Sequence, residues 1–136
     1  DYTILDQDYL KELSNADNTY ELSKTPMFIW ADGIEHQEVE KVVNTQDIYP
    51  TICNMFGLDN HQYYIGNDIF DADYEGYVYW QDGSWILSNG DAFYSAEGKT
   101  AGNPDGEEKK KMEDLINEKL KIDQLIFSTD YFKQIK

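Results

Sequence analysis

The stretch TQDIYPTICNMFGL, residues 45–58, carries both a start signal and a stop signal for a short helix. Asp47 can cap the amino end, and Pro50 lies in the first turn, where its missing N–H would have had no partner. Gly57 can adopt the left-handed conformation that ends a helix. Apolar side chains recur at helical offsets, which predicts a buried stripe. That predicted stripe consists of Ile48, Ile52, Met55 and Phe56.

The segments before this helix predict one further helix and two strands. Asp6 offers a cap, and Tyr9, Leu10 and Leu13 follow at helical spacing, which predicts a short surface helix. Met27 to Ala31 is a continuous apolar run between Pro26 and Asp32-Gly33, as expected of a strand covered on both faces. A second short strand is predicted at Val39 to Val43, directly before the Asp47 helix.

A double hairpin is predicted between Tyr77 and Ser95. Asp82-Gly83 and Asn89-Gly90 both favour two-residue turns of type I′, because both dipeptides tolerate positive φ. Two-residue turns pair Trp80 with Trp85 and Leu87 with Ala92, and the result is a three-stranded antiparallel meander. Alternation then predicts a buried face. That face would hold Val78, Trp80, Trp85, Leu87, Ala92 and Tyr94.

The last segment predicts a helix that covers this meander. Asn103-Pro104 provides a cap and a first-turn proline. The apolar stripe Met112, Leu115, Ile116 resumes after a change of phase as Ile122, Leu125, Ile126. One long helix, or two with a bend near Lys121, would satisfy this pattern, and Ser128 would cap a last turn. A small sheet with one apolar face needs such a cover.

The predicted fold class is therefore α+β, in a single subdomain spanning residues 1–136. Residues 1–24 would form a helix and loop lead-in, residues 25–75 a short strand-helix unit, and residues 76–136 the three-stranded antiparallel meander with the carboxy-terminal helix packed on it. A chain of 136 residues is long enough to bury one core of two layers.

This order of segments resembles the carboxy-terminal part of sulfatase-like enzymes of the alkaline phosphatase superfamily, and within it the lipoteichoic acid synthase and phosphoglycerol transferase branch. The resemblance spans roughly residues 25 to 133. It rests on the order of an apolar strand, Asp47-x-x-Pro50-Thr51, Gly66-x-Asp68-x-Phe70, a hairpin sheet and a final helix. It implies a parent enzyme anchored at the extracellular face of a bacterial membrane, which passes glycerol phosphate from a lipid to a growing cell-wall polymer. A sulfuric- or phosphoric-ester hydrolase of the same superfamily is the alternative.

The resemblance also implies that the chemistry lies in another part of the parent. In that superfamily a threonine, serine or cysteine nucleophile and an Asp-His ligand pair serve one or two metal ions, and this chain contains no Asp-His dipeptide. We therefore expect no catalytic and no metal-binding residue here, and no cofactor in this chain. The parent would hold Mn, Mg, Zn or Ca, and the partner of this chain would be the amino-terminal catalytic portion of the same protein.

The net charge of −16 narrows the classes of partner. The chain has 27 acidic residues, and all of its 11 basic residues are lysines. Nucleic-acid binding depends on cationic patches that release counterions, so a nucleic acid is excluded as a partner. No stretch approaches the roughly 20 apolar residues of a membrane span, which predicts a soluble fragment without direct membrane insertion.

Isolated reactive side chains have ordinary interpretations. Cys53, the only cysteine, lies on the apolar side of the short helix and is expected to behave as a small buried hydrophobe rather than a nucleophile. His36 and His61 stand in polar runs and are interpreted as loop residues.

Two clusters leave alternatives open. Asp68, Asp71 and Asp73, with Asp59 nearby, fit a solvated acidic loop or a calcium loop without the EF-hand pattern. The rings of Tyr77, Tyr79 and Trp80 fit cross-strand packing, or a platform that would make the chain a cell-wall glycan-binding module.

Overall fold

A computed structural model describes residues 8–9, 12, 22–58, 65–94, 99–101 and 106–134, with the backbone alone at 93–94 and 99–101. The chain forms two compact units, residues 1–37 and residues 38–136. The second unit mixes helices with an antiparallel sheet. After a 3₁₀ turn at Thr45–Asp47 come helix α1 (Ile48–Met55), strands β1 (Tyr77–Tyr79), β2 (Trp85–Leu87), β3 (Ala92–Tyr94) and β4 (Lys99–Ala101), and helices α2 (Gly106–Thr129) and α3 (Tyr131–Gln134).

The first unit contains helical residues where a helix was predicted but lacks the predicted strand. Asp8, Tyr9 and Glu12 are helical, and Leu10 and Leu13 lie outside the described residues. Met27 to Ala31 forms neither a strand nor a helix, and the side chains of Phe28 and Trp30 are both 89% exposed. The prediction of a covered strand is wrong for this chain, because a strand needs a hydrogen-bonded neighbour and this run has none among the described residues.

The strand predicted at Val39 to Val43 is also absent. The amide of Val42 donates to the Ser88 hydroxyl at 2.7 Å instead of to a partner strand. Gly76 allows this close approach, since a Cβ on it would lie 2.5 Å from the Val42 carbonyl oxygen. A side-chain anchor thus replaces a ladder of backbone bonds.

The sheet has four strands in the order β1-β2-β3-β4, all antiparallel, so the predicted three-stranded meander is wrong. The predicted register is wrong by one residue: Trp85 was predicted to pair with Trp80, and it pairs with Tyr79. Both hairpin loops have three residues rather than two. In the first loop, the Trp80 amide donates to the Ser84 carbonyl at 2.9 Å, and Gly83 has a φ of 85°. A three-residue loop with glycine in the left-handed region replaces the type I′ turn.

The register shift moves β1 to its other face and changes the core. Tyr79 and Trp85 pack against Met112 and Ile116 of α2, and Trp85 is fully buried. Val78 and Trp80, which the sequence predicted to be buried, are half-buried and lie outside this cluster. A helix does cover the sheet, although the rings beneath it are not the predicted row. The side chain of Tyr94 lies outside the described residues.

Helix α2 runs from Gly106 to Thr129 without a break near Lys121, so the single-helix alternative holds. It ends at Asp130, which has a φ of 51°. The Ser128 hydroxyl donates to the Leu125 carbonyl at 3.2 Å, and the predicted cap on a last turn is therefore wrong. The predicted start at Asn103-Pro104 lies outside the described residues. No described helix is long and apolar enough to cross a membrane.

Candidate functional site

A capping box lies at the 3₁₀ turn Thr45–Asp47, directly before α1. The Asn44 side-chain oxygen accepts from the Gln46 amide at 3.2 Å, and Asp47 Oδ2 accepts from the Asn44 amide at 2.8 Å. Asn44 is therefore the cap of the preceding 3₁₀ turn, and the predicted capping role of Asp47 is wrong. The predicted stop is confirmed, because Gly57 has a φ of 62° and the Leu58 amide donates to the Cys53 carbonyl at 2.8 Å.

The buried face of α1 differs from the predicted stripe. Pro50, Thr51 and Cys53 are buried, whereas Ile48 and Phe56 are exposed. Ile52 and Met55 are half-buried. Thr51 turns inward because its hydroxyl donates to the Asp47 carbonyl at 2.6 Å and accepts from the Ile69 amide at 3.1 Å. Polar bonds, rather than the apolar stripe, orient this helix.

Asp47 is a buried carboxylate with donors from three segments, and only 2% of it is exposed. Besides the Asn44 amide, its Oδ2 accepts from the Tyr74 hydroxyl at 2.8 Å, and its Oδ1 accepts from the Asn67 amide at 2.7 Å. Burial and then the Asp47 carboxylate raise the pKa of Tyr74 well above its usual range, so Tyr74 remains a donor. We call Asp47 with these three donors the carboxylate hub.

The motif Gly66-x-Asp68-x-Phe70 packs directly against the hub. A Cβ on Gly66 would lie 2.0 Å from the Gln46 carbonyl oxygen, so no larger residue fits there. Asp68 Oδ2 accepts from the Asn54 side-chain amide at 2.5 Å, and its Oδ1 accepts from the Phe70 amide at 3.0 Å. The two motifs are therefore two sides of one junction that joins α1 to the loop after it.

The acidic loop holds a lysine. The Lys41 ammonium donates to the carbonyl oxygens of Ile69 at 3.2 Å and Asp71 at 2.7 Å, and lies 5.8 Å from the centre of the Tyr74 ring. Among the described residues no group of three His, Cys, Asp or Glu side chains could hold a metal ion. Lys41 thus occupies two carbonyl oxygens of the loop that carries Asp68, Asp71 and Asp73, and Asp59 lies outside the described residues.

The other residues singled out in the sequence do not converge. Cys53 is buried on α1 as predicted. His36 is exposed in the first unit, and His61 lies outside the described residues. The Tyr77 ring meets Tyr74 edge-on at 5.7 Å, and Tyr79 belongs to the core. The contacts of these two rings favour the cross-strand packing interpretation over a glycan-binding platform, and Trp80, the third ring of that platform, is half-buried.

A pocket of about 330 Å³ opens beside the hub, between the start of α1 and the far end of α2. Its polar lining is Gln46 and Asp123, and its apolar lining is Tyr49, Ile65, Ile126, Phe127 and Phe132. We call it the aromatic pocket. Its edge shares Gln46 with the backbone turn that leads into the hub, so the two features are continuous.

Tyr79 connects this pocket to the core of the sheet. Its hydroxyl lies 2.9 Å from Gln46 Oε1 and 3.1 Å from Asp123 Oδ2, and Gln46 Nε2 donates to Asp123 Oδ2 at 3.3 Å. Burial, with the negative charge of Asp123 adding to it, raises the pKa of Tyr79 to about 12. The phenol is therefore a neutral donor at physiological pH.

Sequence reasoning missed the polar residues of α2 that face inward. Lys119 donates through Nζ to the Ile65 carbonyl, and burial lowers its pKa. Lys119 and Asp123 follow the buried Ile116 by three and seven residues, which places all three on one helix face. That spacing was the available signal, although charged residues at such positions usually face solvent.

The chain is 26% identical over 136 residues to lipoteichoic acid synthase 2 of Bacillus subtilis (strain 168). The match covers 96% of this chain and 20% of the relative, so the chain spans about a fifth of the length of that protein. No protein-family model and no solved structure matches the chain. The similarity confirms the resemblance to the lipoteichoic acid synthase branch that the motif order predicted.

Proposed function

We propose that this chain is the carboxy-terminal subdomain of a sulfatase-like phosphoglycerol transferase that acts in the synthesis of a lipoteichoic acid-like polymer. The observation that carries the proposal is a similarity that extends over 96% of this chain but only 20% of a relative named as a lipoteichoic acid synthase. That name favours polymer synthesis over the hydrolase alternative.

The role of this subdomain in the proposal is that of a scaffold. The polar groups of the two family motifs are engaged with one another: Asp47 accepts from Asn67 and Tyr74, and Thr51 bonds to Ile69. Side chains whose hydrogen bonds are made within the protein stabilise the fold, and those hydrogen bonds are not available to a substrate. The two motifs therefore serve to hold the segment around Asn67 and Ile69 against α1.

The chemistry belongs, in this proposal, to the amino-terminal catalytic portion of the same parent protein. That portion would contribute the threonine nucleophile and the divalent metal, Mn, Mg, Zn or Ca, at the extracellular face of the membrane. Metal-assisted ester cleavage needs both an attacking group and a polarising ion. We therefore expect the isolated chain to be inactive.

The first experiment assays the purified chain for release or transfer of glycerol phosphate with each divalent metal in turn. The expected result is no turnover above that of a heat-denatured sample. Metal-dependent turnover that disappears when one residue of this chain is mutated would overturn the scaffold role.

A segment exchange tests the family assignment. The fifth of lipoteichoic acid synthase 2 that matches this chain is replaced by residues 1–136, and polymer synthesis is measured in cells that lack other such synthases. We expect the chimera to make polymer. A matched chimera with Gly66→Val, which drives a side chain into the Gln46 carbonyl, should fail to accumulate as a folded protein. Loss of polymer with normal accumulation of both chimeras would contradict the proposal.

A further inference from the structure

We propose that the aromatic pocket binds a small organic cation, an alkylammonium or quaternary ammonium group, with the Asp123 carboxylate as its counter-ion. The site does not depend on the proposed transferase function, because all of its parts lie in the second unit of this chain. It is distinct from the acidic loop, whose carbonyl oxygens already hold the Lys41 ammonium.

The charge in the pocket is negative. Among the described residues that line the pocket, Asp123 carries the one carboxyl group, and none is a lysine or histidine. Its hydrogen-bond donors, Tyr79 and Gln46, are neutral, and no described lysine forms a salt bridge with it. Lys119 lies one helical turn before Asp123 and donates its ammonium to the Ile65 carbonyl, while the charges of Asp47 and Asp123 act on it from a longer distance. Since no described lysine contacts the Asp123 carboxylate directly, its charge can still attract a cationic ligand in the pocket.

The walls of the pocket suit the same ligand. Aromatic rings present a negative face, which attracts a cation and tolerates the methyl groups of a substituted ammonium. Tyr49, Phe127 and Phe132 supply three such rings, and all three are exposed in the free chain. A purely apolar ligand would gain nothing from the charge of Asp123, and an anion would be repelled by it and by the net charge of −16. A volume of about 330 Å³ is enough for a small organic molecule.

The test is a titration of the intact chain with tetramethylammonium chloride, followed by amide chemical shifts in NMR, with sodium chloride at equal ionic strength as the reference. The neutral isostere tert-butanol serves as the comparison ligand. We expect saturable shifts at Asp123, Phe127 and Phe132, and an affinity about tenfold higher for the cation than for the alcohol. Equal affinities, or shifts that do not saturate, would overturn the proposal.

Two variants and a matched control separate charge from shape. Asp123→Asn keeps an acceptor for Tyr79 and removes the charge, so the preference for the cation should disappear. Phe132→Leu keeps an apolar wall without a π face and should weaken tetramethylammonium severalfold while leaving tert-butanol unchanged. Asp114→Asn removes one exposed carboxylate from the same helix and should change neither affinity. A cation preference that survives in a folded Asp123→Asn variant would refute the site.

Two further probes identify the source of the ammonium group. Free choline and phosphatidylcholine vesicles carry the same quaternary ammonium, and the vesicles present it on a surface. Binding of choline without co-sedimentation on vesicles would assign a free small molecule, and Asp123-dependent co-sedimentation would assign a lipid headgroup. Failure of both choline and tetramethylammonium to bind would reject the proposal.

Discussion

A buried carboxylate is tolerated only when donors satisfy its oxygens, and Asp47 meets that condition with two backbone amides and the Tyr74 hydroxyl. Hydrogen bonds to a charged group contribute more than bonds between neutral groups. The hub therefore stabilises the fold more than a helix cap would, and its loss leaves three donors without an acceptor.

Replacing Asp47 by alanine should lower the free energy of unfolding by about 3 kcal/mol or more, well above the roughly 1 kcal/mol of a lost cap. Tyr74→Phe, which removes one of the three donors, should cost about 1–2 kcal/mol. The measurement is urea denaturation followed by tryptophan fluorescence. Asp114→Ala on the exposed face of α2 is the control and should leave the midpoint almost unchanged. Equal midpoints for Asp47→Ala and Asp114→Ala would show that the hub contributes no stability.

Gly66→Ala should destabilise the chain by about 3 kcal/mol or more, because the new Cβ would overlap backbone atoms that cannot rotate away. The Cβ would lie 2.7 Å from the Asp47 amide nitrogen as well as close to the Gln46 carbonyl. Gly106→Ala at the start of α2 is the matched control, since nothing lies within 4 Å of its Cβ position. Thermal unfolding by circular dichroism should show a large fall in Tm for the first variant alone.

The pKa of Tyr79 predicts a loss of stability at alkaline pH. In the unfolded chain a tyrosine has its usual pKa of 10.0, whereas in the folded chain the pKa of Tyr79 is about 12. The unfolded state therefore releases this proton first, and the contribution of Tyr79 to stability is full below pH 10 and declines between pH 10 and pH 12. Denaturant midpoints measured across this range should fall less steeply in Tyr79→Phe than in the parent chain. Parallel slopes would contradict the assignment.

Helix α2 serves two neighbours along one face. Its first half places Met112 and Ile116 on the sheet, and its second half places Asp123 and Ile126 beside the start of α1. The inward face changes from apolar to polar along the helix without a break in helical periodicity. One element thus joins the sheet to the carboxylate hub through Gln46.

Two isoleucines of α2 provide a matched test of this face. Ile116→Ala should cost about 2–5 kcal/mol, because Ile116 is 2% exposed and its removal leaves a cavity under the sheet. Ile122→Ala should cost less than about 1 kcal/mol, because Ile122 is 43% exposed. Urea denaturation of the two variants gives the comparison. A larger loss of stability for Ile122→Ala would show that Ile122 belongs to the buried face, as the sequence predicted.

The sequence predicted the structure correctly where a local signal is compatible with only one conformation. Gly57 ended α1 as predicted, and Gly83 marked a hairpin, but Asp82-Gly83 did not determine the length of the loop. Loop lengths of two and three residues both use a glycine with positive φ, so the register depended on packing of Tyr79 against α2. Asp123 was not predicted because its partners are 44 and 77 residues away in the chain.

At the scale of the whole molecule, the dominant electrostatic term is self-repulsion by a net charge of −16. Salt screens exposed charges with a Debye length of about 10 Å at 0.1 M. We therefore expect Tm to rise as sodium chloride is increased from a few millimolar to about 0.2 M, and then to level off. A Tm that falls over this range would show that attractive pairs outweigh the repulsion. The excess of acidic residues could be predicted from the composition alone, whereas the exposure of the Phe28 and Trp30 side chains could not.

The bond between Gln46 and Asp123 closes a loop of 77 residues. Closing so large a loop costs chain entropy, which is offset only after the long-range contacts have formed. Chains with many such contacts fold slowly. During synthesis the segment that carries Asp123 emerges after both the hub and the sheet. Until it emerges, Tyr79 and Trp85 lack their cover, and the nascent chain exposes a hydrophobic surface to chaperones. Docking of α2 is therefore expected to be the final step in folding of the second unit.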